Sequence, residues 1–160
     1  MIIVSDTSPL CYLILVGQID LLPRLYGQVV IPEVVRDELV DARSPSEVRH
    51  WMAQLPAWLT IQAIATQPDA DLENLDAGEQ AAILLIERLG ADVLVMDEML
   101  GRQIARARGL RVIGVLGILE EAGRRGWINL PTVLGQLQQT SFRVSQELLQ
   151  QILEQSNSQH

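Results

Sequence analysis

Lysine is absent from this chain: all twelve basic residues are arginine. That removes the phosphate-gripping lysine of a P-loop, the amine of a Schiff-base enzyme and the lysine a phospho-receiver domain sets beside its aspartates. Two histidines, His50 and His160, are too few for an easily built zinc site or Ser-His-Asp triad. The single cysteine, Cys11, permits no internal disulfide and fits a reducing cytoplasm. With Leu10 and Leu13 beside it, Cys11 reads as a small core residue. No apolar run reaches membrane-spanning length, because Pro9, Gly17 and Asp20 interrupt the longest candidate. The N-terminus carries neither the basic residues nor the cleavage site of a secretory signal, so a cytoplasmic protein is expected. The remaining chemical vocabulary is carboxylate and hydroxyl, with arginine to hold anions.

What is present is a chain of 160 residues, 48% of them hydrophobic, which is one domain by length with a substantial core. A single domain is expected over residues 1–155, with a flexible polar tail over residues 156–160. The net charge of −8 argues against nucleic-acid binding over the whole surface. A local exception is open: Arg102, Arg106, Arg108 and Arg111, followed by Arg124 and Arg125, form either a basic patch or a solvated helix face. Trp51, Trp58 and Trp127 are scattered, which suits core or interface roles better than a base-stacking platform.

Along the chain, short β-branched runs alternate with helical patterns. Residues 2–5 read as a buried strand, and Asp6-Thr7-Ser8-Pro9 as a helix start. Further strands are expected at 29–31, 59–64 (an edge), 93–96 and 110–113. Helices are expected over 9–15, 19–26, 32–40, from Ser44 to about Leu55, 76–89, 101–108, 115–124, 132–139 and 146–154. Strands alternating with helices predict a three-layer α/β/α fold around a mainly parallel sheet.

Four carboxylates then stand out. Asp6 and Asp97 each end an apolar strand, and in open α/β sheets ligand chemistry gathers outside the carboxyl ends of the strands. Glu38 and Glu79 arrive from helices. Together they make an all-oxygen set suited to a hard divalent cation such as Mg²⁺ or Mn²⁺. Each has a plainer reading: Asp6 and Asp97 as helix caps, Glu38 and Glu79 as surface glutamates. Asp76 reads as the cap of its helix and Glu98 as a first-turn residue. Thr7 and Ser8 can bind phosphate or simply cap, and Arg102 can clamp phosphate or pair with Glu98.

The segments Val4-Ser5-Asp6-Thr7-Ser8-Pro9-Leu10, Ile31-Pro32-Glu33-Val34-Val35-Arg36-Asp37-Glu38-Leu39, Leu75-Asp76-Ala77-Gly78-Glu79-Gln80-Ala81-Ala82-Ile83, Val95-Met96-Asp97-Glu98, Gly101-Arg102 and Gly109-Leu110-Arg111-Val112-Ile113-Gly114 together resemble the PIN-domain ribonucleases, on the branch close to VapC-type toxins. Order and spacing carry the resemblance, over most of residues 1–130. By it, Asp6, Glu38, Glu79 and Asp97 occupy the family's acidic, metal-binding and catalytic positions; Thr7, Ser8 and Arg102 remain the candidates for holding substrate phosphate. Glu79 stands where many members have aspartate, Val95 where many have Thr or Ser, and Gly114-Val115 where some place a further acid. The resemblance therefore carries a first metal further than a second.

The resemblance implies a Mg²⁺- or Mn²⁺-dependent endoribonuclease, the cytoplasmic toxin of a toxin–antitoxin pair, dimeric and silenced by a small antitoxin in its groove. No membrane is involved. The amphipathic last helix offers a surface that could pair with a second chain. Two rival readings are a PIN-like nucleic-acid-binding or interaction module with little hydrolytic activity, and a phosphotransfer or phosphatase enzyme. The second rival lacks a lysine and a strand-end Asp-x-Asp.

Overall fold

The computed structural model describes residues 1–65 and 67–158. In chain order the elements are β1 (Ile2–Ser5), α1 (Thr7–Leu15), α2 (Leu21–Tyr26), β2 (Gln28–Pro32), α3 (Glu33–Val40), α4 (Ser46–Met52), β3 (Leu59–Gln62), a 3-10 turn (Ala70–Leu72), α5 (Ala77–Leu89), β4 (Val93–Val95), α6 (Met99–Ala107), β5 (Val112–Ile113), α7 (Val115–Arg124), α8 (Leu130–Gln138) and α9 (Gln146–Ser158). The strands form one sheet, entirely parallel, in the order β3-β2-β1-β4-β5.

Alternation along each strand divides the core between two faces. Ile3, Val29, Ile31, Val93 and Val95 point to one side and pack with Leu10 and Leu13 of α1, Val35 of α3, Ile118 of α7 and Leu134 of α8. Val4, Leu94 and Met96 point to the other and pack with Ile83 and Ile86 of α5 and Ala105 of α6. Helices on both faces of a parallel sheet make the expected three layers. Helix α9 also packs on its own chain, through buried Leu149 and Ile152, and leaves Leu148 exposed. Intramolecular packing thus takes most of the face expected to be free for a second chain.

Element boundaries differ from the sequence reading where tertiary or capping bonds intervene. Strand β5 omits Leu110, whose amide instead closes α6 by donating to the Ala105 carbonyl at 3.0 Å. Gly109 turns the chain there at φ +81°, a conformation that suits glycine. Helix α8 starts two residues early, because the Asn129 side chain accepts from the Thr132 amide at 3.1 Å and Pro131 sits in the first turn. Helix α9 continues through Ser158, three residues into the stretch expected as a tail. Residues 159 and 160 lie outside the described residues. Among those described, no helix is long and apolar enough to cross a membrane.

Candidate active site

The sheet order places the topological switch between β1 and β4. From β1 the chain winds outward through β2 to β3, and from β4 it winds the other way to β5. The crossover helices therefore leave on diverging paths, and a crevice opens at the carboxyl ends of these two strands. Asp6 and Asp97 stand there. Ser5 is in register with Val95, and the Asp6 amide donates to the Val95 carbonyl at 3.0 Å.

Neither aspartate acts as the plain cap of the helix that follows it. Asp6 occupies the position before α1 but its side chain makes no capping hydrogen bond, and it is only 4% exposed. Its Oδ1 is buried without a hydrogen-bond partner. Glu98, expected within the first turn of α6, is in fact its cap and accepts from the Gly101 amide at 2.8 Å. Asp97 reaches across to the start of α7, where Oδ1 accepts from the Val115 amide at 2.8 Å. Its Oδ2 is buried and unpartnered.

The glutamates come from α3 and α5. Glu38 accepts a hydrogen bond from the Thr7 hydroxyl. Glu79 closes a capping box with Asp76: the Glu79 amide donates to Asp76 at 2.8 Å, and Glu79 Oε1 accepts from the Asp76 amide at 3.1 Å. Glu79 is only 5% exposed, far from the ordinary surface glutamate, and its Oε2 is buried without a partner.

Glycines leave the room these acids use. A Cβ at position 78 would lie 2.8 Å from Glu38 Oε1 and 3.2 Å from Asp6 Oδ1, so both carboxylates close on the same point. A Cβ at position 114 would lie 2.6 Å from Asp97 Oδ1 and 2.5 Å from Arg102 Nη1. The sequence marks Gly78 and Gly114 as motif positions and Asp76 as a cap, but not the space those glycines leave or the charge Asp76 adds. The paired pattern Asp76-Ala77-Gly78-Glu79 was the available signal.

Burial and mutual repulsion raise the affinity of these acids for protons. Asp6 is pushed up to about 7, first by desolvation and then by the charges of Asp76, Glu38 and Asp97, against the pull of the Thr7 amide. Glu79 is also raised, mainly by burial, with Asp76 and Asp6 adding to it. Burial raises Glu38, opposed by its bond from Thr7, and raises Asp97, opposed by the Val115 amide and Arg102. Asp6 is the hub on which the other acids act.

Three buried carboxylate oxygens without hydrogen-bond partners, in an all-oxygen set, fit a hard divalent cation. Among the described residues no three His, Cys, Asp or Glu side chains already stand as a ready ligand group.

Two cavities flank the acids. One, of about 440 Å³, lies between α1, α3 and the loop after α3 and is lined by Thr7, exposed Ser8, Asp37, Glu38, Asp41 and Arg43. Cys11, half-buried against the core, lines it too. The other, of about 740 Å³, lies between α6, α7 and α9 and includes Asp97, Arg102, Arg106 and Arg143. Arg102 does not pair with Glu98; its Nη1 donates to the Met96 carbonyl at 3.0 Å, beside Asp97.

The arginine run divides. Arg102 and Arg106 line that cavity, whereas Arg108 is bound to Asp69 at 3.0 Å and Glu87 at 2.8 Å. Arg124 and Arg125 pair with Glu121, and Arg125 also covers Trp127 together with Arg24. Trp51 and Trp58 pack together at 5.9 Å against the core, as expected.

A parallel sheet with carboxylates gathered at its switch point defines an α/β domain built for polar chemistry on an oxygen-rich site. A family model described as a PIN domain matches residues 2–158, and the chain belongs to the PIN-domain family, whose members are generally nucleases. No curated protein matches the chain. Among solved structures, a PilT N-terminus domain protein from the hyperthermophilic archaeon Sulfolobus solfataricus P2 is similar in fold. It has a TM-score of 0.52 and 14% identity, covering 91% of this chain and 100% of that one.

Proposed function

We propose that this chain is a metal-dependent endoribonuclease that hydrolyses RNA phosphodiester bonds at the crevice between β1 and β4. The observation that carries this reading is the set of buried, unpartnered oxygens on Asp6, Glu79 and Asp97. An inert domain has no reason to retain them, since each costs roughly 1–3 kcal/mol or more when left unsatisfied.

In this reading Asp6 and Asp97 hold the cation, Asp97 being kept in place by the Val115 amide. A bound Mg²⁺ or Mn²⁺ supplies charge neutralisation at the phosphate and lowers the pKa of water. Glu38 and Glu79 orient the attacking water by accepting its protons, Glu38 being steadied by Thr7 and Glu79 by the Asp76 amide. Thr7, Ser8 and Arg102 face the phosphate, with the guanidinium of Arg102 fixed to the Met96 carbonyl.

The same reading takes the protein as a cytoplasmic toxin, a homodimer controlled by a small antitoxin protein. Its support is the likeness of the sequence segments to VapC-type toxins.

The test is cleavage of a mixed RNA pool with Mg²⁺ or Mn²⁺ by the wild type, Asp6→Asn and Asp97→Asn. Both variants keep side-chain shape and remove ligand charge. Cleavage that needs metal and vanishes in both folded variants supports the proposal. Cleavage that persists in them overturns the site, and none by the wild type favours a binding module.

A further inference from the structure

The two cavities flanking the acids carry opposite charge. The α1–α3 cavity presents Asp37, Glu38 and Asp41, and its one arginine, Arg43, is bound to Asp41 at 2.9 Å. Asp37 is held by Arg36 at 2.7 Å. The α6–α9 cavity presents Arg102, Arg106 and Arg143 against Asp97 and Glu120. Among the described residues none of these three arginines forms an ion pair, although the chain has a net charge of −8. Arg102 and Arg106 stand one turn apart on α6. Burial and then the neighbouring Arg106 charge both pull the Arg102 pKa down. Like charges left side by side, with acid partners available elsewhere on the surface, are suited to an anion from outside. Phe142 lines the same cavity and offers an aromatic ring, which forms a T-shaped pair with Tyr12, centroids 5.1 Å apart.

Resting on the nuclease reading above, we propose that the RNA is a single strand held on one flank of the scissile phosphate only. Nucleotides over α6 and the segment leading into α9 are gripped by Arg102, Arg106 and Arg143, and those over α1 and α3 meet carboxylates and are not held. The footprint is therefore polar: substrate length matters in one direction along the strand and not in the other. Phosphates attract the unpaired guanidiniums and Phe142 accepts a base face, which is how single strands are held without sequence readout. The acidic flank repels the same backbone, so bound length on that side adds nothing.

Two measurements on the full chain test this. In the first, RNA oligonucleotides cleaved at a mapped position are trimmed one nucleotide at a time from either end, and kcat/KM is followed. Loss on trimming one end, with little change from the other, supports the proposal; equal loss from both ends overturns it.

In the second, binding of a fluorescent single-stranded RNA is followed by anisotropy in EDTA, without turnover. Arg106→Gln and Arg143→Gln are expected to weaken binding several-fold and to lower the salt slope by about 0.7 each. Asp37→Asn, on the acidic flank, is expected to leave binding unchanged or tighten it. If neither arginine variant weakens binding, the proposal fails and the cavity is left to another occupant, such as an acidic peptide. Binding needs no cleavage, so binding weakened in both arginine variants without turnover by the wild type would sink the nuclease reading and leave only the arginine grip on single-stranded RNA standing. Cleavage with symmetric trimming would do the reverse.

Discussion

The hydroxyl of Thr7, at the first position of α1, donates to the carboxylate of Glu38 on α3. One hydrogen bond thus joins the residue after the β1 aspartate to an acid from another helix. Removing it with Thr7→Val leaves Glu38 with the Gly78 amide but without its side-chain donor, and a hydrogen bond to a charged group is worth roughly 1.5–3 kcal/mol. We expect RNA cleavage to fall about tenfold. Thr7→Ser, which keeps the hydroxyl, should retain most of it. Equal activity in the wild type and Thr7→Val would remove Glu38 positioning from the mechanism.

Gly114 has an ordinary backbone conformation, with φ −109°, so its role is space rather than strain. A methyl there meets Arg102, which can swing away, and Asp97, which is short and anchored to Val115. Gly114→Ala should therefore displace Asp97 and cut cleavage by more than about tenfold, with a stability change within roughly 1–3 kcal/mol. Steady-state cleavage together with a thermal melt reads both quantities. A fully active variant would show that Asp97 need not stay where Val115 holds it.

The raised carboxylates tie stability to pH. Asp6 titrates near 3.8 when unfolded and about 7 when folded. The folded state then binds more protons between these values, so its contribution to stability falls as pH rises from about 4 to about 7 and stays low above. The shift corresponds to at most roughly 4 kcal/mol. Metal-free protein should melt lower at pH 8 than at pH 5. Asp6→Asn should flatten that slope and raise the melting temperature at pH 8. A wild type and variant with parallel pH profiles would contradict the assigned cause.

A cation must displace those protons and relieve the repulsion, so its stabilisation should grow as pH rises. Melting temperature measured with saturating Mn²⁺ or Mg²⁺ should increase more at pH 8 than at pH 5.5, and hardly at all in Asp97→Asn. No metal-induced shift in the wild type at pH 8 would count heavily against a metal site here.

Arg108 joins Asp69, before the 3-10 turn, to Glu87 on α5, and its side chain is mostly buried. Arg108→Gln should lower stability by about 1–2 kcal/mol. Cleavage per folded molecule should be unchanged, because this arginine faces carboxylates rather than either cavity. A selective loss of RNA binding would return it to the basic patch that its place in the sequence suggested.

Much of this was legible before any fold was seen. The continuous apolar runs Met1-Ile2-Ile3-Val4 and Val93-Leu94-Val95-Met96 marked strands buried on both faces, and the strand–helix order implied a parallel sheet. The absence of lysine and the near absence of histidine confined the candidate chemistry to carboxylates. Asp6, Glu38, Glu79 and Asp97 were visible as candidates because each stands where a strand ends or a helix begins or turns, in the order the resemblance requires.

Other features depend on contacts distant in sequence. Asp97 bonding Val115 rather than capping α6, and Glu98 taking the cap, is decided by the approach of α7 to the end of β4. Arg108 leaves the basic run because α5 and residue 69 come within ion-pair distance, while Arg143 joins Arg102 and Arg106 because the segment leading into α9 lines the same cavity as α6 and α7. Local propensity and composition act within a few residues, so the sequence alone determined the strands, the helices and the available chemical groups. Which carboxylate lost its water, which arginine lost its partner and which glycine made room follow from desolvation and packing, and only the tertiary structure decided them.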